Sequence, residues 1–321
     1  MIRNHYISAV LMLLAVIICT ASTPSSASDA LAAGRIDEAT SQLRARVQAN
    51  AQDAEAHHLL SRAYYSIQRW DDAISSGERA VALQPNNSVY HLWLGRAYGE
   101  KAGSVNFLKA MDLAKKVRDQ FEKAVQLDGS NVAARADLAE FYVEAPGFLG
   151  GGKDKAREQA KYIAQKDPAR SHWVLAIIAE KDKKYDVAEQ ELRTALQISG
   201  NQSRYWLDLA SFYRRRGRLD DMENAISKAI ASTGSDKQTF FDAANTLFRA
   251  GRNFAAATQY LRTYISGGHY SYEAPLFQAH YLLGSVLEKA GDKQGAAREY
   301  RASLSLAKDY KRAQTALNRV Q

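Results

Sequence analysis

The sequence predicts an all-α solenoid of stacked helix pairs, and three observations support this fold class. A pattern of 34 residues recurs through most of the 321-residue chain. Each unit contains two runs of apolar residues at helical spacing, separated by glycine or by an Asp–Lys pair. No segment shows the apolar alternation that is typical of a half-buried strand. Because one helix pair cannot bury its apolar face alone, we expect neighbouring pairs to stack into a continuous core.

The N-terminal segment has the layout of a secretory signal peptide. Arg3 precedes an apolar run of 15 residues, from Ile7 to Ala21, and a polar stretch with small residues at Ser25 and Ala27 follows. The apolar run is shorter than the roughly 20 residues that span a bilayer. We therefore expect cleavage after Ala27, an exported protein that is periplasmic or secreted, and no transmembrane span in the mature chain.

Cys19 is the only cysteine, and it lies within the expected signal peptide. The mature chain is then predicted to have no disulfide, no thiolate nucleophile and no cysteine metal site. Ile18 stands before it where a lipoprotein site needs a small residue, so we do not expect lipidation. The net charge of +8 comes from basic residues spread along the chain, which indicates a solvated surface. Together with export, this argues against a nucleic acid partner.

The repeat is clearest in residues 54–87 and 203–236, which align without a gap. Both have leucine at position 7, a small residue at position 8, tyrosine at position 11 and alanine at position 27. The matched residues are Leu60 and Leu209, Ser61 and Ala210, Tyr64 and Tyr213, and Ala80 and Ala229. This pattern resembles the tetratricopeptide repeat family, and the resemblance implies a right-handed superhelix of helix pairs. We predict a signal peptide at 1–27 and one solenoid domain at 28–321, with a partial repeat at 28–53, seven full repeats at 54–310 and a closing helix at 309–321.

The stretch from Gly147 to Lys153 matches the G-x-x-x-x-G-K pattern of a phosphate-binding loop. Such a loop needs a strand before it and a Ser or Thr after the lysine to hold magnesium. Here a predicted helix precedes the loop and Asp154 follows the lysine, so we predict no nucleotide and no other cofactor. The same insert, "APG…GGG", resembles inserts of bacterial exported tetratricopeptide proteins, and that resemblance implies no activity.

Two adjacent repeats carry insertions at the turn between their helices. The first adds ten residues, which we predict to extend one long helix, and the second adds the glycine-rich loop. Equivalent turns of neighbouring repeats lie on the same edge of a solenoid. We therefore predict that Phe107, Leu108 and Met111 pack with Phe148 and Leu149 as an edge module.

The histidines and carboxylates indicate structure rather than catalysis. Four histidines stand at repeat position 4, where other units have aromatic residues; these are His57, His91, His172 and His280. Pairs of acidic residues recur before the second helix of a unit, where they complement the helix dipole. The chain contains no H-E-x-x-H or G-x-S-x-G motif. We predict a non-enzymatic protein without a metal site.

The family resemblance implies that the first helix of each repeat lines a concave groove. The groove residues on that basis are His58, Arg62, Tyr65, Arg96, Trp173, Arg204, Arg214, Phe241, Asn245, Phe248 and Tyr281. Arginine with aromatic residues is the composition of binding hot spots. The Lys and Asn of the family's dicarboxylate clamp are absent.

These residues predict an envelope scaffold that binds a protein or peptide, with an acidic or C-terminal carboxylate group among the expected ligands. The alternative is a module that binds carbohydrate or another envelope polymer by stacking on the aromatic residues.

Overall fold

The computed structural model describes residues 26–232, 236–268 and 270–321. The expected signal peptide up to Ser25, and His269, lie outside these ranges. Every regular element within them is helical, and none of these helices is long and apolar enough to cross a membrane. The helices are α1 Ala27–Ala32 and α2 Ile36–Ala49, α3 Ala54–Ser66 and α4 Trp70–Leu83, α5 Ser88–Ala102 and α6 Phe107–Leu127, α7 Val132–Glu144 and α8 Lys153–Ala164, α9 Pro168–Lys181 and α10 Tyr185–Ile198, α11 Ser203–Arg215 and α12 Leu219–Ala231, α13 Gln238–Ala250 and α14 Phe254–Ser266, α15 Leu276–Lys289 and α16 Lys293–Leu306, and α17 Lys311–Val320. The all-α solenoid predicted from the sequence is confirmed.

The two helices of a pair begin in different ways. Several first helices follow an Asp or Asn whose side chain accepts a hydrogen bond from the first turn, as Asp53 does from the backbone of Ala56 at 2.9 Å. Second helices often follow an arginine without such a cap. There Arg69 donates to Asp72 at 2.7 Å, and an acidic first turn stabilises the positive end of the helix dipole.

A small residue at repeat position 8 allows the helices of a pair to approach closely. A Cβ atom on Gly95 would lie 2.6 Å from the ring of Phe121, and one on Gly284 would lie equally close to Tyr300. Both aromatic rings come from the second helix of the same pair and are buried. The glycines at repeat position 8 therefore leave room for an aromatic side chain of the second helix to pack against the backbone of the first.

The first and last helices of the array pack against each other. One apolar cluster contains Ile36, Leu60 and Tyr64 from the N-terminal pairs together with Phe277 and Tyr310 from the C-terminal end. We call this contact, between residues 27–69 and residues 272–313, the seam.

Polar contacts continue the seam on both sides of its apolar cluster. Gln278 Nε2 donates to the backbone oxygen of Ser66 at 2.9 Å, and the backbone N–H of Lys308 donates to Asp37 at 3.0 Å. Because residues more than 200 positions apart meet here, the array closes on itself.

The two insertions contact each other, but the predicted apolar edge module is wrong. Leu149 is buried, whereas Phe107, Leu108 and Phe148 are about 70% exposed. The other predicted member, Met111, is only partly buried on α6. The exposed apolar side chains therefore do not hold the inserts together.

Arg118, three turns along α6, occupies the space between the inserts. Its Nη1 donates to the backbone oxygen of Leu149 at 3.3 Å, and its side chain lies against Gly150, whose φ is +94°. The long helix α6 therefore presents a guanidinium to the glycine loop, and the apolar side chains at its N-terminal end extend beyond that contact.

Candidate functional site

Residues from both ends of the array and from the first three full repeats line a cavity of about 780 Å³ that is open to solvent. The first helices α3, α5 and α7 form one wall, and the segment preceding α15 closes it at the seam. The polar and aromatic lining residues are Arg62, Tyr65, Ser66, Gln68, Trp70, Trp93, Arg96, Glu100, Phe121, Asp137, Glu140, Phe141, Glu144, Tyr272, Glu273 and Gln278. The volume falls within the range of ligand-binding sites.

Arg62 lies between two aromatic rings at the seam. Its guanidinium carbon is 4.3 Å from the ring centre of Trp93 and 3.7 Å from that of Tyr272. Burial lowers the pKa of Arg62, and its buried Nε makes no hydrogen bond to any described residue. Cation–π contacts therefore stabilise this charge in place of a carboxylate.

Arg96 forms the ion pair at the centre of the cavity wall. Its Nε is 2.6 Å from Asp137 Oδ2, and its guanidinium lies 4.8 Å from the ring centre of Trp93. Burial opposes the charge of Arg96, but Asp137 outweighs that effect and the pKa of Arg96 is raised. The pair thus neutralises one of the two arginines that face the cavity.

Glu140 faces the cavity without a hydrogen bond or an ion pair to any described residue. The Glu140 side chain is exposed, but partial loss of hydration and the nearby charge of Asp137 raise the pKa of its carboxyl. The other acidic groups have partners of different strength. Glu144 pairs with Lys181 at 2.7 Å, while Glu100 accepts only a long hydrogen bond of 3.4 Å from Tyr65.

Acidic residues exceed basic ones in the cavity lining. The lining contains two arginines and five acidic residues, an excess of three negative charges, although the whole chain carries +8. The acidic residues are Glu100, Asp137, Glu140, Glu144 and Glu273. The cavity therefore has the opposite formal charge to the protein that encloses it.

Repeat position 6 supplies several of the carboxylates of the first helices. Asp137, Asp208 and Asp242 occupy this position in three units. The Oδ2 atom of Asp208 is buried and has no hydrogen-bond partner in the part of the chain that the structure describes. Burial raises the pKa of Asp242 to about 7. The groove positions that the family resemblance implies omit position 6, and the recurrence of aspartate there was the signal that could have identified these residues.

The structure brings Arg62, Tyr65 and Arg96 together in the cavity, as the sequence predicted for a groove. Two other predicted groove residues are wrong, because they are buried between helices. His58 is 6% exposed and stacks on Tyr90 at 4.6 Å, and Phe241 is 8% exposed and packs on Tyr264. Burial lowers the pKa of His58 to about 3.

The remaining predicted residues lie on later first helices and do not line this cavity. Tyr281 packs against Tyr300 and Tyr310 near the seam, with ring centres 5.8 and 5.3 Å away. The guanidinium carbon of Arg170 lies 3.5 Å from the ring centre of Trp173. The others are Arg204, Arg214, Asn245 and Phe248 on α11 and α13.

Histidine–carboxylate pairs occur elsewhere, but they repeat with the fold. His172 lies 2.6 Å from Glu191, and His280 lies 2.7 Å from Glu299. Each pair joins the two helices of one repeat from the same repeat position. Within the described ranges, no three potential metal-ligating side chains form a group.

The fold and the lined cavity define a helical repeat protein with a pocket beside its first helices. The tetratricopeptide repeat model matches residues 26–88 and 241–311, the two regions that meet at the seam. Both of these regions therefore carry tetratricopeptide repeats.

Several solved structures are similar to the chain at low sequence identity. MamA is 22% identical over 50% of this chain and 87% of its own, with a TM-score of 0.40. A tetratricopeptide repeat protein from Parabacteroides merdae ATCC 43184 is 17% identical over 84% of this chain and 99% of its own, with a TM-score of 0.42. A thermophilic protein of the family from Thermus thermophilus is 19% identical over 67% and 91%, also with a TM-score of 0.42. No curated protein matches the chain.

Proposed function

We propose that this protein is a non-enzymatic scaffold of the bacterial envelope that binds a segment of a partner protein in the cavity. The tetratricopeptide repeat fold supports a role in protein–protein interaction. The observation that carries the proposal is the cavity itself, in which consecutive first helices present arginine, aromatic and acidic side chains towards one space. Arginine and aromatic side chains dominate the energetic centres of protein interfaces.

A peptide fits the cavity better than a glycan, the alternative ligand. Sugar stacking requires open aromatic faces. Here Trp93 has guanidinium groups at 4.3 and 4.8 Å, from Arg62 and Arg96, and outside the cavity Trp173 has Arg170 at 3.5 Å. The carboxylates and Tyr65 retain hydrogen-bonding capacity towards a polypeptide.

The envelope location depends on the N-terminal sequence, with Arg3 followed by the apolar run and then small residues. Cell fractionation with N-terminal sequencing of the purified protein tests it. A periplasmic or secreted product that lacks the first 27 residues or thereabouts supports export, and an intact N-terminus in the cytoplasm contradicts it.

A steric block of the cavity tests the binding site without changing its charge. Gly99 lines the cavity, and a Cβ atom there would meet only Val117 at an ordinary 3.8 Å, so Gly99→Trp places a ring in the cavity. Gly147→Trp is the control, because a Cβ atom at that exposed edge meets nothing within 4 Å. The readout is affinity capture from an envelope extract of the source organism, with quantification of the retained proteins.

We expect one protein to be retained by the wild type and by Gly147→Trp, and lost from Gly99→Trp. Equal capture by all three proteins would exclude the cavity as the binding site. Retention of a polysaccharide in place of a protein would favour the alternative ligand.

A further inference from the structure

The cavity contains more unpaired negative charge than unpaired positive charge. Asp137 and Glu144 form ion pairs with Arg96 and Lys181. The other three carboxylates, Glu100, Glu140 and Glu273, form no ion pair with a described residue. Arg62 is the one lining arginine without a carboxylate partner among the described residues, and two aromatic rings already hold it.

The wall beside these carboxylates is aromatic. Tyr65 contacts Trp70 and Trp93 edge to face, with ring centres 5.3 and 5.6 Å apart, and Phe141 lines the same cavity. The protein already binds its own guanidinium groups on Trp93 and Tyr272 in this space. A ligand cation on Tyr65 and Trp70 beside Glu100 would meet a combination similar to the one that Arg96 makes with Trp93 and Asp137.

The three unpaired carboxylates are exposed to solvent, so a ligand can reach them. Carboxylates in excess of arginines in the lining attract cations and repel anions. Glu140 shows this effect on the protein itself, because partial loss of hydration and the charge of Asp137 raise the pKa of its carboxyl although the side chain is exposed. A bound ammonium or guanidinium group would reverse this penalty.

An acidic ligand, which the sequence suggested, would find only Arg62 as a cation without a carboxylate partner among the described residues. Arg96 is engaged by Asp137 at 2.6 Å, and Arg62 is enclosed between Trp93 and Tyr272. A carboxylate would also enter a space lined by five acidic residues. The charge of the cavity thus opposes the ligand that the arginine content alone favours.

We propose that the cavity selects a cationic segment of its partner, in which a lysine or arginine side chain lies against Tyr65 and Trp70 and is neutralised by Glu100 and Glu140. This inference rests on the proposed function, since it specifies the chemistry of the polypeptide bound there. It predicts that an overall basic protein captures basic peptides and discriminates against acidic ones.

The test uses three fluorescent decapeptides that differ only in whether the same four positions hold Lys, Glu or Gln. Fluorescence anisotropy measures the binding of each to the wild type. We expect the Lys peptide to bind at least about tenfold more tightly than the Gln and Glu peptides, with affinity that falls between about 50 and 500 mM salt. Binding of the Lys peptide that is no tighter than that of the Gln peptide, or undetectable up to about 1 mM, would overturn the inference.

A matched pair of double variants locates the selectivity. Glu100→Gln with Glu140→Gln should weaken binding of the Lys peptide about fivefold or more. Asp112→Asn with Asp154→Asn removes the same charge from side chains that are 79% and 98% exposed outside the cavity, and should leave the affinity unchanged. Equal losses in the two double variants would show general attraction and contradict the proposed site.

Gly99→Trp separates this inference from the function on which it rests. Loss of all peptide binding in Gly99→Trp, with no preference for Lys in the wild type, would retain the cavity as the binding site and overturn only the charge selection. Unchanged peptide binding in Gly99→Trp would overturn both.

Discussion

The side chains at the centre of the seam are as inaccessible to solvent as those at an ordinary junction between repeats. The two contacts differ in how far apart their residues lie in the sequence. At the junction of α11 with its neighbours, Leu209 and Phe212 are 1% exposed, and their contacts come from adjacent repeats. At the seam, Ile36 and Phe277 are 1% and 0% exposed, but they lie about 240 residues apart. The comparison shows that burial does not distinguish the two contacts, whereas sequence separation does.

This difference has an energetic consequence. A junction between neighbouring repeats forms with little loss of chain entropy, because its two sides are already connected nearby. The seam can form only after the intervening pairs have stacked in their final geometry. We therefore expect junction variants to change global stability and seam variants to change shape.

The largest expected effect is the loss of an ordinary junction. Phe212→Ala removes a buried ring from the core between α11, α12 and α13 and should lower the free energy of unfolding by about 3–5 kcal/mol. Urea denaturation followed by circular dichroism measures it. Phe107→Ala, at a site 71% exposed, is the control and should stay within about 0.5 kcal/mol of the wild type. Similar losses in both would contradict the assignment of the core.

Opening the seam should have the next largest effect. Gly34 has φ +74° and a Cβ atom there would lie 2.5 Å from the backbone nitrogen of Leu276, so Gly34→Ala both strains the turn and separates the ends. Gly217 has φ +71° with nothing within 4 Å, and Gly217→Ala carries the conformational cost alone, about 1 kcal/mol. Small-angle X-ray scattering should show a larger radius of gyration for Gly34→Ala only. An unchanged radius in Gly34→Ala would contradict closure in solution.

Acidification should weaken a junction rather than the seam. His58 is buried against Tyr90 with a pKa of about 3, compared with an ordinary value of 6.5. Because the folded state disfavours the protonated ring, the stability that depends on its neutral form is lost as the pH falls from about 6.5 towards 3. Urea midpoints measured across this range should fall less steeply in His58→Phe than in the wild type. Parallel profiles would contradict a neutral buried His58.

The smallest effect is expected at the charged rim of the seam. Arg69 contacts Asp309 across the seam at 3.0 Å and Asp72 within its own repeat at 2.7 Å, and all three side chains are at least 32% exposed. Asp309→Asn should cost no more than about 1 kcal/mol, and the cost should vanish in high salt. The matched variant Asp72→Asn should lose a similar amount of stability, as measured by thermal denaturation. A much larger loss of stability in Asp309→Asn would indicate that the ion pair, and not the apolar cluster, stabilises the seam.

The features of the fold that follow from local periodicity could be predicted from the sequence. The 34-residue pattern identifies both helices of a unit, and the small residues at Gly95 and Gly284 indicate the close approach within a pair. Closure was not predictable in this way, because it results from small rotations added over all the pairs. No single unit encodes the contact of Gly34 with Leu276.

The candidate site was predicted in part for a similar reason. Arg62, Tyr65 and Arg96 were identified because their repeat positions and residue types both favour a groove. His58 also stands at a groove position of the repeat, but its side chain is buried, so the position alone does not identify a groove residue. The edge module failed because Arg118, a residue without a periodic role, occupies the space between the two inserts. Which side chain fills a gap is a tertiary property that periodicity does not determine.

The contact between the two ends of the array also restricts how the number of repeats can change during evolution. In an open array each repeat contacts only its neighbours, so a duplicated or deleted unit leaves the other contacts intact. Here one additional unit would carry Leu276 past Gly34, and one fewer would leave the ends apart. The number of repeats is therefore fixed by geometry, and descendants of this sequence can vary in their loops and cavity side chains more readily than in their count of units.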